Sequence, residues 1–201
     1  MDKKKISIIV PVYYSEKTLD ELMGNFKKLA EENSGYDLEY VFVDDGSGDG
    51  SYAKLQEIAG RSNNVKVLKL SKNFGSFVAC LAGFSYASGD CAVIVSADMQ
   101  EPPELITKLV AEWENGNDVA IAVRKSRNDS FSKVFFAKIY YWLFKLVGNK
   151  DMPPEGFDIA LIDRKVINII KDIKEKNTTL MGLILWVGFK RATVYYDRLS
   201  S

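Results

Sequence analysis

The stretch Val93-Ile94-Val95-Ser96-Ala97-Asp98-Met99-Gln100-Glu101-Pro102-Pro103-Glu104 runs from an apolar strand through an acidic turn into a helix. The consecutive β-branched residues Val93, Ile94 and Val95 have the composition of a strand buried on both faces. Polarity switches at Ser96. Pro102 and Pro103 lack an N–H, so they suit a turn and the first position of the helix that carries Leu105, Ile106 and Leu109. Asp98 and Gln100 therefore stand just past the carboxyl end of a strand, the edge at which open α/β sheets bind ligands. Their hard oxygen atoms suit Mg²⁺ or Mn²⁺ holding a diphosphate. An ordinary polar strand-to-helix turn, with no metal, accounts for the same residues.

Outward from this stretch the pattern repeats. Ile6–Val10, Tyr40–Val43 and Val65–Leu70 read as strands before it, and Val119–Val123 as a strand after it. Leu19, Leu22, Phe26 and Leu29 recur at helical spacing behind Ser15, a candidate N-cap. Leu55 and Ile58 mark a second helix, and Val78 to Ala87 a small apolar third. This alternation predicts an α/β fold with a mostly parallel central sheet, right-handed crossovers and flanking helices. The strands end in Pro11-Val12-Tyr13, Asp44-Asp45, Lys72-Asn73, Ser96-Ala97-Asp98 and Arg124. Each ending is polar or turn-forming, and together they predict a single polar cleft at one edge of the sheet.

Composition narrows the chemistry. With 201 residues, 47% of them hydrophobic, the chain can bury a sizeable core as one large α/β domain or two small ones. Acidic and basic residues number 27 each, so no basic excess points to nucleic acid. The absence of histidine removes His triads, His–Zn sites and His general bases. Acid–base work must fall to Asp, Glu, Lys, Tyr or Cys. Cys80 and Cys91 sit in apolar settings without metal-ligand spacing and read as reduced core thiols of a cytosolic protein. The charged start before Ile6 does not read as a secretory signal. No apolar run reaches the roughly 18 residues of a membrane-spanning helix.

Beyond Asp129 the αβ rhythm breaks. Phe131 to Val147 carries Phe135, Phe136, Tyr140, Tyr141, Trp142 and Phe144, interrupted by Lys133, Lys138 and Lys145. This is either a core helix or an interfacial one, whose aromatics meet lipid or another subunit while its lysines reach headgroups. A short strand around Asp158–Ile162, helices at Arg164–Ile170 and Leu180–Val187, and a last strand at Ala192–Tyr196 complete the expected elements.

Five motifs, taken in order, resemble a family. They are Val10-Pro-Val-Tyr13 with Glu16, Val43-Asp-Asp-Gly-Ser47, Lys72-Asn-Phe-Gly75, Ala87-Ser-Gly-Asp90 and Ser96 through Glu104. Their order and spacing are similar to those of the family 2 inverting glycosyltransferases. The subfamily they most resemble transfers sugars to polyprenyl phosphates, as dolichol-phosphate mannose synthase and the bactoprenol glucosyltransferases do. Asp158-Ile-Ala-Leu-Ile-Asp-Arg-Lys165 and Trp186-Val-Gly-Phe189 also look like that subfamily. The resemblance implies a GT-A fold over residues 1–201. Residues 1–128 would be the nucleotide-sugar-binding half and 129–201 the acceptor-side half. It places Tyr13, Glu16 and Asp44 around the base and ribose. Asp45, Lys72 and Gly75 would line the same groove, with Pro11, Val12 and Ala97 beside them. Asp98 and Gln100 would hold the Mg²⁺ or Mn²⁺ that bridges the phosphates. Two positions depart from the family. Tyr14 stands where Asn is usual, and Ser96 where Asp often completes an Asp-x-Asp motif.

The function so implied is transfer, with inversion, from a nucleotide sugar (by family habit a UDP-sugar) to a polyprenyl phosphate at the cytoplasmic membrane face. The family usually continues into transmembrane helices, so the chain reads as the soluble catalytic part, truncated or naturally short. Two other readings stand beside it: transfer to a glycan hydroxyl, and a catalytically weak nucleotide-sugar-binding subunit, motivated by Ser96 and Tyr14. The acceptor sets the residues. A hydroxyl needs a base, for which Asp158 is the best candidate. A phosphate monoester is already mostly ionised and needs cations, which Arg124, Arg127 and Lys133 would supply.

Overall fold

The structure, a computed structural model, describes residues 3–98, 102, 104–125, 157, 159–173 and 179–197. Its strands are β1 (Lys5–Val12), β2 (Asp37–Asp44), β3 (Val65–Lys69), β4 (Cys91–Ile94), β5 (Val119–Arg124), β6 (Ile159–Asp163) and β7 (Arg191–Tyr196). Its helices are α1 (Leu19–Glu32), α2 (Ser51–Gly60), α3 (Ser76–Tyr86), α4 (Glu104–Glu114), α5 (Arg164–Asp172) and α6 (Leu180–Trp186). The aromatic segment Phe131–Val147 lies outside the described residues.

The strands form one sheet in the order β3-β2-β1-β4-β6-β5-β7. Side chains alternate across each strand, so each face takes its own layer of helices. On one face Ile6, Ile8, Val10, Tyr40 and Phe42 pack against Leu22 and Phe26 of α1, Leu55 of α2 and Leu109 of α4. On the other, Ile9, Val41, Val43 and Ile121 meet Phe84 of α3, Ile167 of α5 and Ile184 of α6. The helical spacing of Leu19, Leu22, Phe26 and Leu29 is thus the buried stripe of α1.

The expected parallel sheet is present with one interruption. β1 pairs in parallel with β2 and β4, β2 with β3, and β5 with β7. β6 runs antiparallel between β4 and β5, pairing with both. Strand–helix alternation gives no warning of this insertion, because β6 comes from beyond the break in the αβ rhythm. One local reading is corrected. Ser15 does not cap α1, which begins after Thr18. Ser15 instead closes a turn: its carbonyl accepts from the Thr18 amide and from Thr18 Oγ1, each at 3.0 Å.

The topology selects a place for ligands. From β1 the chain winds out to β2 and β3, then returns to β4 on the other side of β1. The β1/β4 boundary is therefore the switch point at which a crevice opens beyond the carboxyl ends of the strands. Among the described residues, no helix is long and apolar enough to cross a membrane.

Candidate active site

A cleft of about 800 Å³ opens at that switch point. Pro11, Val12 and Tyr13 at the end of β1 line it together with Asp45, Gly75, Ala97 and Asp98. These seven site residues expected from sequence come from the ends of four strands, β1 to β4, and meet in one place. Asn73, between Asp45 and Gly75 in the lining, is an addition; it sat inside a quoted motif without a role.

Asp45 has a definite task. Its two carboxylate oxygens accept the backbone N–H groups of Phe74 and Gly75, each at 2.8 Å, and so fasten the loop after β3 to the end of β2. Gly46 makes this approach possible. Its φ is +70°, and a Cβ there would lie 2.4 Å from the carbonyl carbon of Lys72, closer than any side chain tolerates. Lys72, which sequence reasoning had line the same groove, is not among the cleft-lining residues. The side chain is exposed, with its ammonium 5.2 Å from the centre of the Phe74 ring.

Asp44, one residue earlier, lies in a different environment. It shares the α1/α2 face of the sheet with Tyr40 and Phe42 by strand alternation, and it is fully buried. Neither carboxylate oxygen has a hydrogen-bond donor. A buried polar group without a partner is costly, and it marks a position where a ligand's N–H or O–H would be welcome. Glu16 lies outside the cleft lining. Its carboxylate accepts the Gly50 N–H at 3.0 Å, which ties the segment after β1 to the loop before α2.

At the β4 end, Asp98 is exposed and accepts a hydrogen bond from the Ser96 hydroxyl through Oδ1. The two side chains present adjacent hard oxygen atoms where the cleft begins. Such a pair fits Mg²⁺ or Mn²⁺, which completes its shell with phosphate oxygens and water rather than with a full protein cage. Among the described residues, no group of three or more acidic, Cys or His side chains converges as a metal centre. Gln100, Asp158, Arg127 and Lys133 fall outside the described residues. Arg124 ends β5 on the same edge of the sheet but does not line the cleft; its Nε donates to Tyr196 Oη of β7 at 3.3 Å.

The opposite wall was not anticipated as part of a site. Phe77 and Cys80 of α3 and Leu180, Met181 and Ile184 of α6 face the cleft and make that side apolar. Burial pushes the Cys80 thiol up to about 12, so it acts as an apolar wall group and not as a nucleophile. The sequence signal for this wall was the apolar character of the α3 and α6 segments, which reads equally as core.

Comparison with known proteins agrees with this arrangement. The chain is 39% identical over 193 residues to the uncharacterised glycosyltransferase YkcC of Bacillus subtilis, covering 96% of this chain and 59% of that protein. It is 32% identical over 195 residues to the prophage bactoprenol glucosyl transferase homolog of Escherichia coli, covering 96% of this chain and 63% of the relative. The chain thus spans about three-fifths of the length of these relatives. Among solved structures, the mannosyltransferase PcManGT from Pyrobaculum calidifontis, in complex with GDP-Man and Mn²⁺, superposes with a TM-score of 0.69 at 15% identity. The alignment covers 99% of this chain and 57% of that one, and it identifies the fold as GT-A. Residues 7–169, from β1 into α5 and through every strand end that forms the cleft, match the family described as glycosyl transferase family 2, and the chain belongs to that family.

Proposed function

We propose that the chain transfers a sugar, with inversion, from a nucleoside diphosphate sugar to a polyprenyl phosphate. The observation that carries this reading is the two-sided cleft. One side is polar, where β1, β2 and β4 end; the other is the apolar wall of α3 and α6. A nucleotide sugar suits the first side and the start of an isoprenoid chain the second. The bactoprenol glucosyl transferase relatives, at 31–32% identity, support the same acceptor.

The donor's base and ribose would lie by Tyr13 and Asp44, and its diphosphate by Asp98 and Gln100. A divalent cation held there would offset the charge that builds on the departing diphosphate. An acceptor phosphate oxygen attacks the anomeric carbon from the face opposite the diphosphate, so one bond forms as the other breaks and configuration inverts. The phosphate is already ionised and requires no strong base. Arg124 and Arg127 would hold it against the donor's charge, and Asp158 would align it. Action at the cytoplasmic membrane face follows from the lipid acceptor; contact of the aromatic segment Phe131–Val147 with that membrane or with another subunit belongs to the same proposal.

The test measures UDP release from a UDP-hexose by the purified chain, with and without a short polyprenyl phosphate in detergent, in Mn²⁺ and in EDTA. Release that requires both lipid phosphate and cation, and that fails in Asp98→Ala, supports the proposal. Transfer to a glycan hydroxyl with indifference to the lipid phosphate overturns it.

A further inference from the structure

Tyr14 is, among the described residues, the non-glycine residue with a left-handed backbone, at φ +52°. For a bulky side chain this is a real outlier, and such strain persists only where the surroundings impose it. Here they do. The Tyr14 N–H donates to Ser47 Oγ at 3.1 Å. The next amide, Ser15 N–H, donates to the buried Ser51 Oγ at 2.9 Å. The Tyr14 hydroxyl lies against Gly48, where a Cβ would come within 2.5 Å of it. The segment after β1 is thereby pinned onto the loop between β2 and α2.

The strained turn has a geometric result. It sets the Tyr14 ring edge-on to the Tyr13 ring, with centroids 4.7 Å apart and planes at 83°. This is a favourable aromatic arrangement, and it restrains a neighbour that would otherwise rotate. Tyr13 lines the cleft and remains 49% exposed, so part of its ring stays accessible to a ligand in the cleft. A fixed, half-exposed aromatic face matches a flat heterocycle far better than it matches a sugar or a phosphate.

We infer that Tyr14 is a positioning residue for the donor's nucleobase: its left-handed turn and ring hold Tyr13 as a preset stacking surface. The inference rests on the nucleotide-sugar reading and extends it to a residue outside the cleft lining. Because the base is remote from the bond that breaks, the contribution falls on donor binding and not on turnover. Preorganisation of this kind lowers the ordering cost of binding.

The experiment compares wild type with Tyr14→Phe, Tyr14→Asn and Tyr14→Gly. It uses UDP and GDP as probes in calorimetry with Mn²⁺, and inorganic pyrophosphate as a probe without a base. Tyr14→Phe keeps the ring and binds within about twofold of wild type. Tyr14→Asn and Tyr14→Gly tolerate the left-handed backbone but lack the ring. They lose about 3- to 10-fold in nucleotide affinity, the scale of one aromatic contact. Their thermal midpoint does not fall, and pyrophosphate binds them as it binds wild type. Donor KM rises by the same factor with kcat held. Wild-type affinity for the nucleotide in Tyr14→Gly overturns the inference, as does an equal loss for pyrophosphate, which would mean that the loop had simply collapsed. A wild-type chain that binds pyrophosphate but neither nucleotide overturns the donor reading itself.

Discussion

Replacing Asp44 with Val should stabilise the unliganded chain while removing its response to nucleotide. Asp44 ends β2 between Val12 of β1 and Lys69 of β3. It is fully buried, and neither of its oxygens has a donor. A buried polar group left without a partner costs about 1–3 kcal/mol. Valine has one side-chain heavy atom fewer than aspartate and is β-branched, so it suits a strand end. Removing the unsatisfied oxygens should therefore raise stability by about 1–3 kcal/mol. At about 2–4 °C per kcal/mol for a chain of this size, the thermal midpoint should rise by roughly 2–12 °C. On the proposed reading, the same oxygens would accept a nucleobase N–H. Wild type with UDP and Mn²⁺ at about 100 times Kd should gain about 2.7 kcal/mol. Asp44→Val should start higher and gain little. Thermal denaturation followed by circular dichroism, with and without ligand, reads both effects. A midpoint that falls in the variant, or a ligand shift equal to that of wild type, would refute the reasoning.

At the opposite edge of the sheet, Glu39 is only 5% exposed. Burial alone would raise its pKa, but hydrogen bonds from Ser7, Lys66 and Ser88 outweigh it and hold the carboxyl at about 2 against an ordinary 4.5. Because the folded value is depressed, the stabilisation is full above about pH 4.5 and is lost as pH falls toward 2; the difference corresponds to about 3 kcal/mol. Glu39→Gln should cost about that much at pH 7, and urea unfolding should show the gap to wild type closing below pH 4.5; a gap that stays constant would count against the network. In the cleft, Ser96→Asp should place a second carboxylate beside Asp98 and lower the Mn²⁺ concentration for half-maximal activity about tenfold, since a charged ligand replaces a neutral one. Superimposable metal titrations would remove Ser96 from the cation's surroundings.

What could be read in the sequence was local. Short continuous apolar runs gave β1 to β5 their strand character, and the spacing of Leu19, Leu22, Phe26 and Leu29 gave α1 its buried face, because these patterns are set by composition and backbone geometry within one element. The polar strand ends in the motifs from Pro11 to Asp98 pointed to one cleft at one sheet edge, because in a parallel sheet all carboxyl ends lie on one side; the order and spacing of the motifs, by resemblance, pointed to the family. What tertiary structure alone decided was long-range. β6 enters antiparallel between β4 and β5, a choice made by pairing partners far apart in the chain. Asp44 and Asp45 are equivalent in sequence, yet the end of β2 sends one into an unpartnered burial and the other into a clamp on residues 74 and 75. Lys72, on the loop that this clamp holds, is exposed and outside the cleft lining. Tyr14 departs from the left-handed-tolerant residue usual at its position, but only contacts with Ser47, Gly48 and Tyr13 show why the strained backbone holds. Propensity acts over a few bonds, whereas these placements depend on which surfaces meet once the sheet has closed, and a linear sequence does not contain that information in any local form.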